Sequence, residues 1–174
     1  MSNPQNNFFL NYLIHGFSFI EDDTILKMFK EIDNFGEIVD VENISDNIDY
    51  IPEYTEIQNK FLQDVQNYLE EKYINQNLKT LNVSKNIWSG VDNGSLIWHN
   101  DYLEGQDFCF LYYLDTMVSD GALHFKSIKE NQSVTLYPKE GTLVWLNLTN
   151  KYFHRADRSS KQRRVINLEY KILS

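Results

Sequence analysis

The sequence predicts a mainly β fold with supporting helices, an α+β arrangement in which N-terminal helices pack on a jelly roll. Three observations carry this. From about residue 82, short apolar runs alternate with turn signals such as Asp92-Asn93-Gly94, Glu104-Gly105, Asp120-Gly121 and Pro138-Lys139-Glu140-Gly141, which gives eight candidate strands. Eight short strands in two sheets is the count of a jelly roll. Before residue 80, apolar residues recur instead at the i, i+3, i+4, i+7 spacing of amphipathic helices. With 174 residues the chain reads as one domain, a helical support over 1–80 and a β core over 82–174.

The elements follow in order. Residues 1–7 are polar and read as a disordered start, and Phe8 to Ile20, where Phe17 and Phe19 alternate with Gly16 and Ser18, reads as a strand with His15 a partly buried strand histidine. Asp22, Asp23 and Thr24 suit a helix N-terminus, Ile25, Met28, Phe29 and Ile32 form its apolar face, and Asn34 and Gly36 end it. Residues 37–50 are acidic and read as a loop. Pro52 and Glu53 open a second helix, whose Ile57, Phe61, Val65, Tyr68 and Leu69 share a face and which ends near Ile74. The strands are Asn86 to Gly90, Ser95 to Asn100, Asp107 to Asp115, Ala122 to Ser127, Ser133 to Tyr137, Thr142 to Leu148, Tyr152 to Ala156, and Arg163 to Ile172. Phe108 to Leu114 is apolar at every position, so that strand should be covered on both faces.

Composition narrows the function. Hydrophobic residues at 42% and aromatics at 14% exclude a disordered chain. A net charge of −9 argues against a nucleic-acid partner, since phosphate binding rests on Lys and Arg. The single Cys109 forms no internal disulfide, no stretch reads as a signal peptide, and no apolar run spans a bilayer, so the expected setting is the cytoplasm with no membrane partner.

The chemistry gathers at Ile97-Trp98-His99-Asn100-Asp101. In an extended strand His99 and Asp101 share a face, while Trp98 and Asn100 point away. An imidazole and a carboxylate side by side lack one histidine to make the facial triad that binds non-haem Fe(II), and His154 is the candidate. With four histidines and 25 acidic residues in the chain, His-x-Asp alone is a weak signal, and it gains weight from the last strand. There Arg164, Ile166, Leu168, Tyr170 and Ile172 share one face, and Arg163, Val165, Asn167, Glu169 and Lys171 the other. By its apolarity the first set is assigned to the barrel interior, which aims Arg164 inward. A buried guanidinium needs an internal carboxylate or an acidic ligand.

The segment from Trp88 to Tyr170 resembles the double-stranded β-helix, cupin-like in form, of Fe(II)- and 2-oxoglutarate-dependent oxygenases, and within them the prolyl-hydroxylase-like branch. The motifs are His99-Asn100-Asp101, then Leu111-Tyr112-Tyr113-Leu114-Asp115 followed by Gly121-Ala122-Leu123-His124-Phe125, then His154 with Arg164 ten positions on. The resemblance implies that His99, Asp101 and His154 bind Fe(II), that Arg164 holds the distal carboxylate of 2-oxoglutarate, and that Tyr112 donates a hydrogen bond to it. It also implies O2 as co-substrate, ascorbate as an accessory reductant, and hydroxylation of a C–H bond in a peptidyl residue, such as proline, or in a small molecule, with release of succinate and CO2. Where the branch often has a tyrosine on the strand before His-x-Asp, the nearest aromatic is Trp88, the candidate for that co-substrate contact. Asp120-Gly121 stands where the branch often has two glycines. His124 occupies a variable position and is not counted as a ligand. Residues 37–50 and Tyr102 to Gln106 are expected to border the iron as substrate-choosing loops. The runner-up reading is a non-catalytic, cupin-like metal- or ligand-binding module, and a nucleic-acid demethylase is disfavoured by charge.

Overall fold

The computed structural model describes residues 3–38, 53–74, 77–91, 97–101 and 105–173. Three layers are stacked: helices, a five-stranded sheet and a three-stranded sheet. The helices are α1 (Pro4–His15), α2 (Thr24–Lys30) and α3 (Glu56–Leu69), the last running into a π-helical turn over Glu70–Ile74. The strands are β1 (Phe17–Glu21), β2 (Thr80–Gly90), β3 (Phe108–Tyr113), β4 (Leu123–Ser127), β5 (Val134–Leu136), β6 (Thr142–Asn147), β7 (Tyr152–Ala156) and β8 (Arg163–Ile172). The large sheet runs β1-β6-β3-β8-β2 and the small one β5-β4-β7, with every pairing antiparallel.

The N-terminus differs from its expected reading. Residues 4–15 form a helix and only Phe17–Glu21 is a strand. The reason is local. The Asn3 side chain accepts from the Gln5 N–H, Pro4 sits in the first turn, and Gly16 closes the helix at φ 71° with its N–H bonded to the Tyr12 carbonyl. A Cβ on Gly16 would lie 2.5 Å from the Tyr152 ring, so both conformation and space select glycine. Phe8 and Tyr12, four apart, form the buried face, and His15 is exposed at the helix end.

The other helices follow their expected spans more closely. α2 starts at Thr24 and stops at Lys30, earlier than Asn34 and Gly36 suggest. α3 opens with a capping box between Thr55 and Gln58, three residues after Pro52, which lies outside the described residues, and the helical run ends at Ile74 as expected. Among the described residues seven of the eight expected strands form, and β1 is one more; of the stretch expected at Ser95 to Asn100, the described part pairs through a single bridge at His99.

The large sheet is buried on both sides, as Phe108 to Leu114 requires. One face carries Phe108, Phe110, Tyr112, Leu143, Trp145, Ile166, Leu168 and Tyr170, packed against Phe8 and Tyr12 of α1, Ile25 and Leu26 of α2, and Phe61, Leu62, Val65 and Leu69 of α3. The opposite face carries Phe17, Cys109, Tyr113, Val144, Leu146 and Val165, packed against Leu123 and Phe125 of the small sheet. The space between the sheets, the interior of the jelly roll, is therefore lined by the second set.

Asp22 ties the helical layer to the sheet. Its carboxylate accepts from Tyr68 at 2.5 Å, Tyr73 at 2.6 Å, Lys72 Nζ at 3.0 Å and the Thr24 N–H at 3.1 Å. Its own N–H donates to the Gly141 carbonyl at 2.9 Å. Burial pushes the carboxyl pKa up, but the hydrogen bonds from Tyr68, Tyr73 and Thr24 outweigh that and hold it well below the usual carboxylate range. A depressed folded-state pKa contributes stability that is fully present above the unfolded value near 4 and is lost as pH falls below it. Asp22→Ala should cost about 3 kcal/mol in urea unfolding at pH 7, because it strands a partly buried ammonium and two phenols. The difference between variant and parent should shrink as pH falls from about 4.

Candidate active site

His99, Asp101 and His154 converge. Each offers one ligand atom, and the three atoms lie within 4.8 Å of one another. The backbone makes the approach: the His99 N–H donates to the His154 carbonyl at 3.0 Å and the His154 N–H to the His99 carbonyl at 2.8 Å. This bridge adds residue 99 as one more rung on the β7 edge of the small sheet, and it leaves the two imidazoles with centroids 4.3 Å apart. His154 in turn lies opposite Phe125 of β4, whose ring is in the inter-sheet core, so His154 faces the interior.

Asp101 arrives by a different route from the one its spacing suggests. It is not in an extended strand; its φ is 57°, a left-handed conformation that Asp tolerates better than most residues. The turn brings Oδ2 to 3.3 Å from His154 Nε2 and Oδ1 to 3.8 Å from His99 Nε2. Metal bonds of about 2.1 Å place cis ligand atoms about 3 Å apart, so small side-chain movements suffice to close around an ion. Burial raises the Asp101 pKa, but the hydrogen bond and charge of His154 and the charge of His99 outweigh it and lower the carboxyl below its usual range.

The donor set fits a divalent first-row metal. His99 Nδ1 lies 2.9 Å from the Ile97 carbonyl, which fixes the ring with Nε2 turned toward Asp101. His154 is 8% exposed, and its buried Nδ1 has no hydrogen-bond partner among the described residues. Its Nε2, 3.3 Å from Asp101 Oδ2, is the nitrogen turned toward the other two donors.

Trp98 anchors the same segment from outside, as alternation along 97–101 predicts. Its ring lies under Lys126 Nζ at 4.3 Å and the Arg155 guanidinium at 5.2 Å, with His124 edge-on at 6.4 Å. Asp157 fastens those partners, accepting from Arg155 at 2.6 Å and lying 2.7 Å from His124 Nε2. His124 thus belongs to the outer face of the small sheet, away from the triad. Arg155 belongs there too.

The arginine expectation is corrected. Arg164 does not enter the interior. It lies on the helix-facing side of β8 with its guanidinium over Phe29 at 5.4 Å, and Asp115 takes it in a two-pronged pair, Nε–Oδ2 at 2.9 Å and Nη2–Oδ1 at 2.8 Å, with the Arg164 N–H adding 2.8 Å to Oδ2. Tyr112 is corrected with it. Its hydroxyl donates to the Asp22 carbonyl at 2.6 Å and accepts from the Leu26 N–H at 3.0 Å, which spends it on the start of α2. Both errors have one cause: the apolar face of β8 and β3 meets the helices, not the opposite sheet.

The inward cation is Arg163, only 1% exposed. Its Nη1 donates to the Asp157 carbonyl at 2.8 Å and the Gly121 carbonyl at 3.3 Å, and its guanidinium lies 5.9 Å from the centre of the Trp88 ring. Burial pulls its pKa below the usual arginine range. Burial pushes the Tyr113 phenol, on the same face, up to about 12, with the Arg163 charge opposing. Trp88 stands opposite Val165, so the candidate aromatic does share the inner face with this cation. Arg163 and Tyr113 are the residues that sequence reasoning passed over, although each sits one position from the residue it chose.

No protein-family model matches the chain, and no curated protein sequence matches it. Solved structures do. An oxidoreductase of the 2OG-Fe(II) oxygenase family from Burkholderia pseudomallei matches with TM-score 0.69 at 10% identity, over 98% of this chain and 91% of that one. A prolyl hydroxylase from Trichoplax adhaerens, solved with a peptide fragment of the hypoxia inducible factor oxygen degradation domain, matches with TM-score 0.63 at 18% identity, over 96% and 88%. A Pseudomonas putida prolyl-4-hydroxylase matches with TM-score 0.65 at 13% identity, over 97% and 99%. The chain has the fold of the 2OG-Fe(II) oxygenases. That fold is the double-stranded β-helix expected from the strand pattern, and at these identities the function is argued from the site. Of the loops expected to border it, 39–50 and 102–104 lie outside the described residues, and no described helix is long and apolar enough to cross a membrane.

The Arg164–Asp115 pair is partly shielded and has three aligned hydrogen bonds, which puts it at the upper end of near-surface ion pairs. A double-mutant cycle with Arg164→Ala and Asp115→Ala, read by urea unfolding, should give a coupling of about 1 kcal/mol.

Proposed function

We propose that the protein is an Fe(II)- and 2-oxoglutarate-dependent dioxygenase that hydroxylates a C–H bond of a peptidyl residue or a small molecule. The observation that carries this is the coincidence, on one interior, of a two-imidazole, one-carboxylate cluster and a buried arginine. His99, Asp101 and His154 would hold the metal through Nε2, a carboxylate oxygen and Nε2. The chemistry that an iron centre with 2-oxoglutarate and O2 would supply is oxidative decarboxylation to succinate and CO2 coupled to hydroxylation of a substrate C–H bond.

The chain's own residues supply placement. Arg163 is the candidate for the distal carboxylate of 2-oxoglutarate, since a guanidinium buried at 1% exposure gains most from a bidentate anion. Its two backbone carbonyl partners hold it from one side and orient the fork. Tyr113, whose phenol stays protonated at neutral pH, would donate a hydrogen bond to the same anion. Trp88 backs the guanidinium at 5.9 Å. The Trichoplax enzyme solved with a peptide supports a peptide substrate as one class. Ascorbate, as in the sequence reading, would serve as an accessory reductant. The setting expected for such a reaction is the cytoplasm.

Succinate formation from 2-oxoglutarate with Fe(II) and O2 tests the class without knowledge of the substrate. Absence of succinate with retained metal binding would favour the non-catalytic binding module. Two variants test the placements. Arg163→Ala should weaken 2-oxoglutarate binding to the Mn(II)-loaded protein by about 30-fold or more, from the roughly 2–5 kcal/mol lost when one partner of a desolvated charge pair is truncated. Arg164→Ala should leave that affinity within about twofold, since its partner is Asp115. His154→Ala should remove Mn(II) binding measured by titration calorimetry while leaving the fold intact by circular dichroism. The opposite ranking of the two arginines would reassign the co-substrate pocket.

A further inference from the structure

The interior face of β8 carries a half-buried carboxylate, Glu169, that no step above uses; Lys171, next on the same side of the strand, is exposed. From its start the face reads Arg163, Val165, Asn167, Glu169, so a cation stands at one end and a carboxylate six residues along. Glu169 lies opposite Cys109 of β3 and opposite Ser84 of β2, and Asn167 opposite Leu111 and Asn86. These facing residues share one side of the sheet, so Ser84, Asn86, Asn167 and Glu169 form a polar patch on an inner surface that is otherwise apolar. The Asn167 amide donates to Glu169 Oε1 at 3.1 Å, and Ser84 hydrogen-bonds the same carboxylate.

Two features separate this patch from ordinary core polarity. Leu111, Asn167 and Glu169 sit on the two central strands yet are half-buried, whereas Phe110, Leu168 and Tyr170 on the helix side are wholly covered. The interior is therefore open here. Asn167 Oδ1 also has no hydrogen-bond partner among the described residues, although solvent does not reach it. Glu169 is also electrostatically within range of the triad. Burial raises its pKa, and the Asp101 charge adds to the rise while His154 opposes it. Its hydrogen-bond donors among the described residues are an amide and a hydroxyl.

We propose that Glu169, with Asn167 and Ser84, is the specificity-determining site for the primary substrate, and that it takes a protonated nitrogen, an ammonium or guanidinium, on the group to be hydroxylated. The proposal rests on the oxygenase reading for the identity of the reacting centre, and it divides the inner face by charge: Arg163 takes the anionic co-substrate at one end and Glu169 a cationic substrate at the other. The protein's net charge of −9 favours the approach of cations to the same opening. Two sources present this chemistry, a basic side chain within a peptide and a free basic amino acid.

The test is titration calorimetry of the full chain with Mn(II) and 2-oxoglutarate under nitrogen, repeated on metal-free protein. The probes are free L-lysine and L-arginine, the blocked tripeptides acetyl-Gly-Lys-Gly-amide and acetyl-Gly-Arg-Gly-amide, and the same tripeptides with norleucine or glutamate at the centre. The expected result is at least tenfold tighter binding of a cationic probe than of its norleucine counterpart, with Glu169→Gln bringing the two within twofold. Glu169→Gln should keep the parent's melting temperature and Mn(II) affinity, which separates lost recognition from lost fold. Binding of the tripeptides alone identifies a peptide substrate, and binding of the free amino acids alone a small one. Equal binding of cationic and norleucine probes by the parent, or a preference that survives Glu169→Gln, overturns the proposal. A Glu169-dependent preference in a protein that binds neither Mn(II) nor 2-oxoglutarate upholds the cation site and overturns the oxygenase reading instead.

Discussion

Everything in this protein that bears on chemistry depends on the alternation of β8. A strand sends successive side chains to opposite faces, and β8 lies in the middle of a sheet covered on both sides. Ile166, Leu168 and Tyr170 are committed to the helical layer, so Arg163, Val165, Asn167 and Glu169 have no choice but the inter-sheet space. β3 and β2 are locked to the same phase by their register with β8, which puts Tyr113 and Trp88 beside Val165 and sends Tyr112 to the helices. A one-residue slip in this strand would exchange the two arginines and bury the wrong charge beneath α2.

The helical layer explains why that phase is strongly held. Tyr112 reaches through to bond the Asp22 carbonyl and the Leu26 N–H, and the Asp22 carboxylate gathers Tyr68, Tyr73 and Lys72. These are polar bonds in a largely apolar layer, and they have one geometric solution each. The apolar packing around Trp145, with Phe8, Tyr12, Phe108 and Phe110 within 6 Å of its ring centre, supplies area without much directionality. Specific phase and bulk stability thus come from different residues of the same layer.

The sequence made the strands, their spacing and the three triad residues legible, because turn signals and a His-x-Asp motif are local. What it hid was whatever a second layer decides. The more apolar face of β8 was assigned to the barrel interior on the rule that apolar means inside, but this sheet has two insides, and the one that meets the helices is the greasier. The face toward the other sheet must leave room for ligands and carries Asn167 and Glu169 in consequence. Residues 8–15 misled for the opposite reason: aromatic residues at 8, 9 and 12 look strand-like, and the helix is set by the caps at Asn3 and Gly16 that flank them. Asp101 reaches the histidines through its left-handed turn, not through the strand alternation that the His-x-Asp spacing suggests.

That turn also explains how a site can be both firm and adjustable. His99 and His154 are joined by a reciprocal pair of backbone hydrogen bonds, and Trp98 is held on the far side between Lys126 and Arg155, so the imidazole pair is fixed to the small sheet. Arg163, Tyr113 and Trp88 are fixed to the large one. The proposed metal ligands on the small sheet and the proposed anion-binding residues on the large one meet only if the two sheets hold their separation, and the inter-sheet cluster of Phe17, Phe125, Val144, Leu146 and Val165 is what sets it. Asp101, in a half-buried turn just beyond the bridge, is the one triad member not pinned by a sheet hydrogen bond among the described residues. It is therefore the donor of the three that a side-chain rotation can adjust, from its present 3.3 and 3.8 Å contacts with the two histidines.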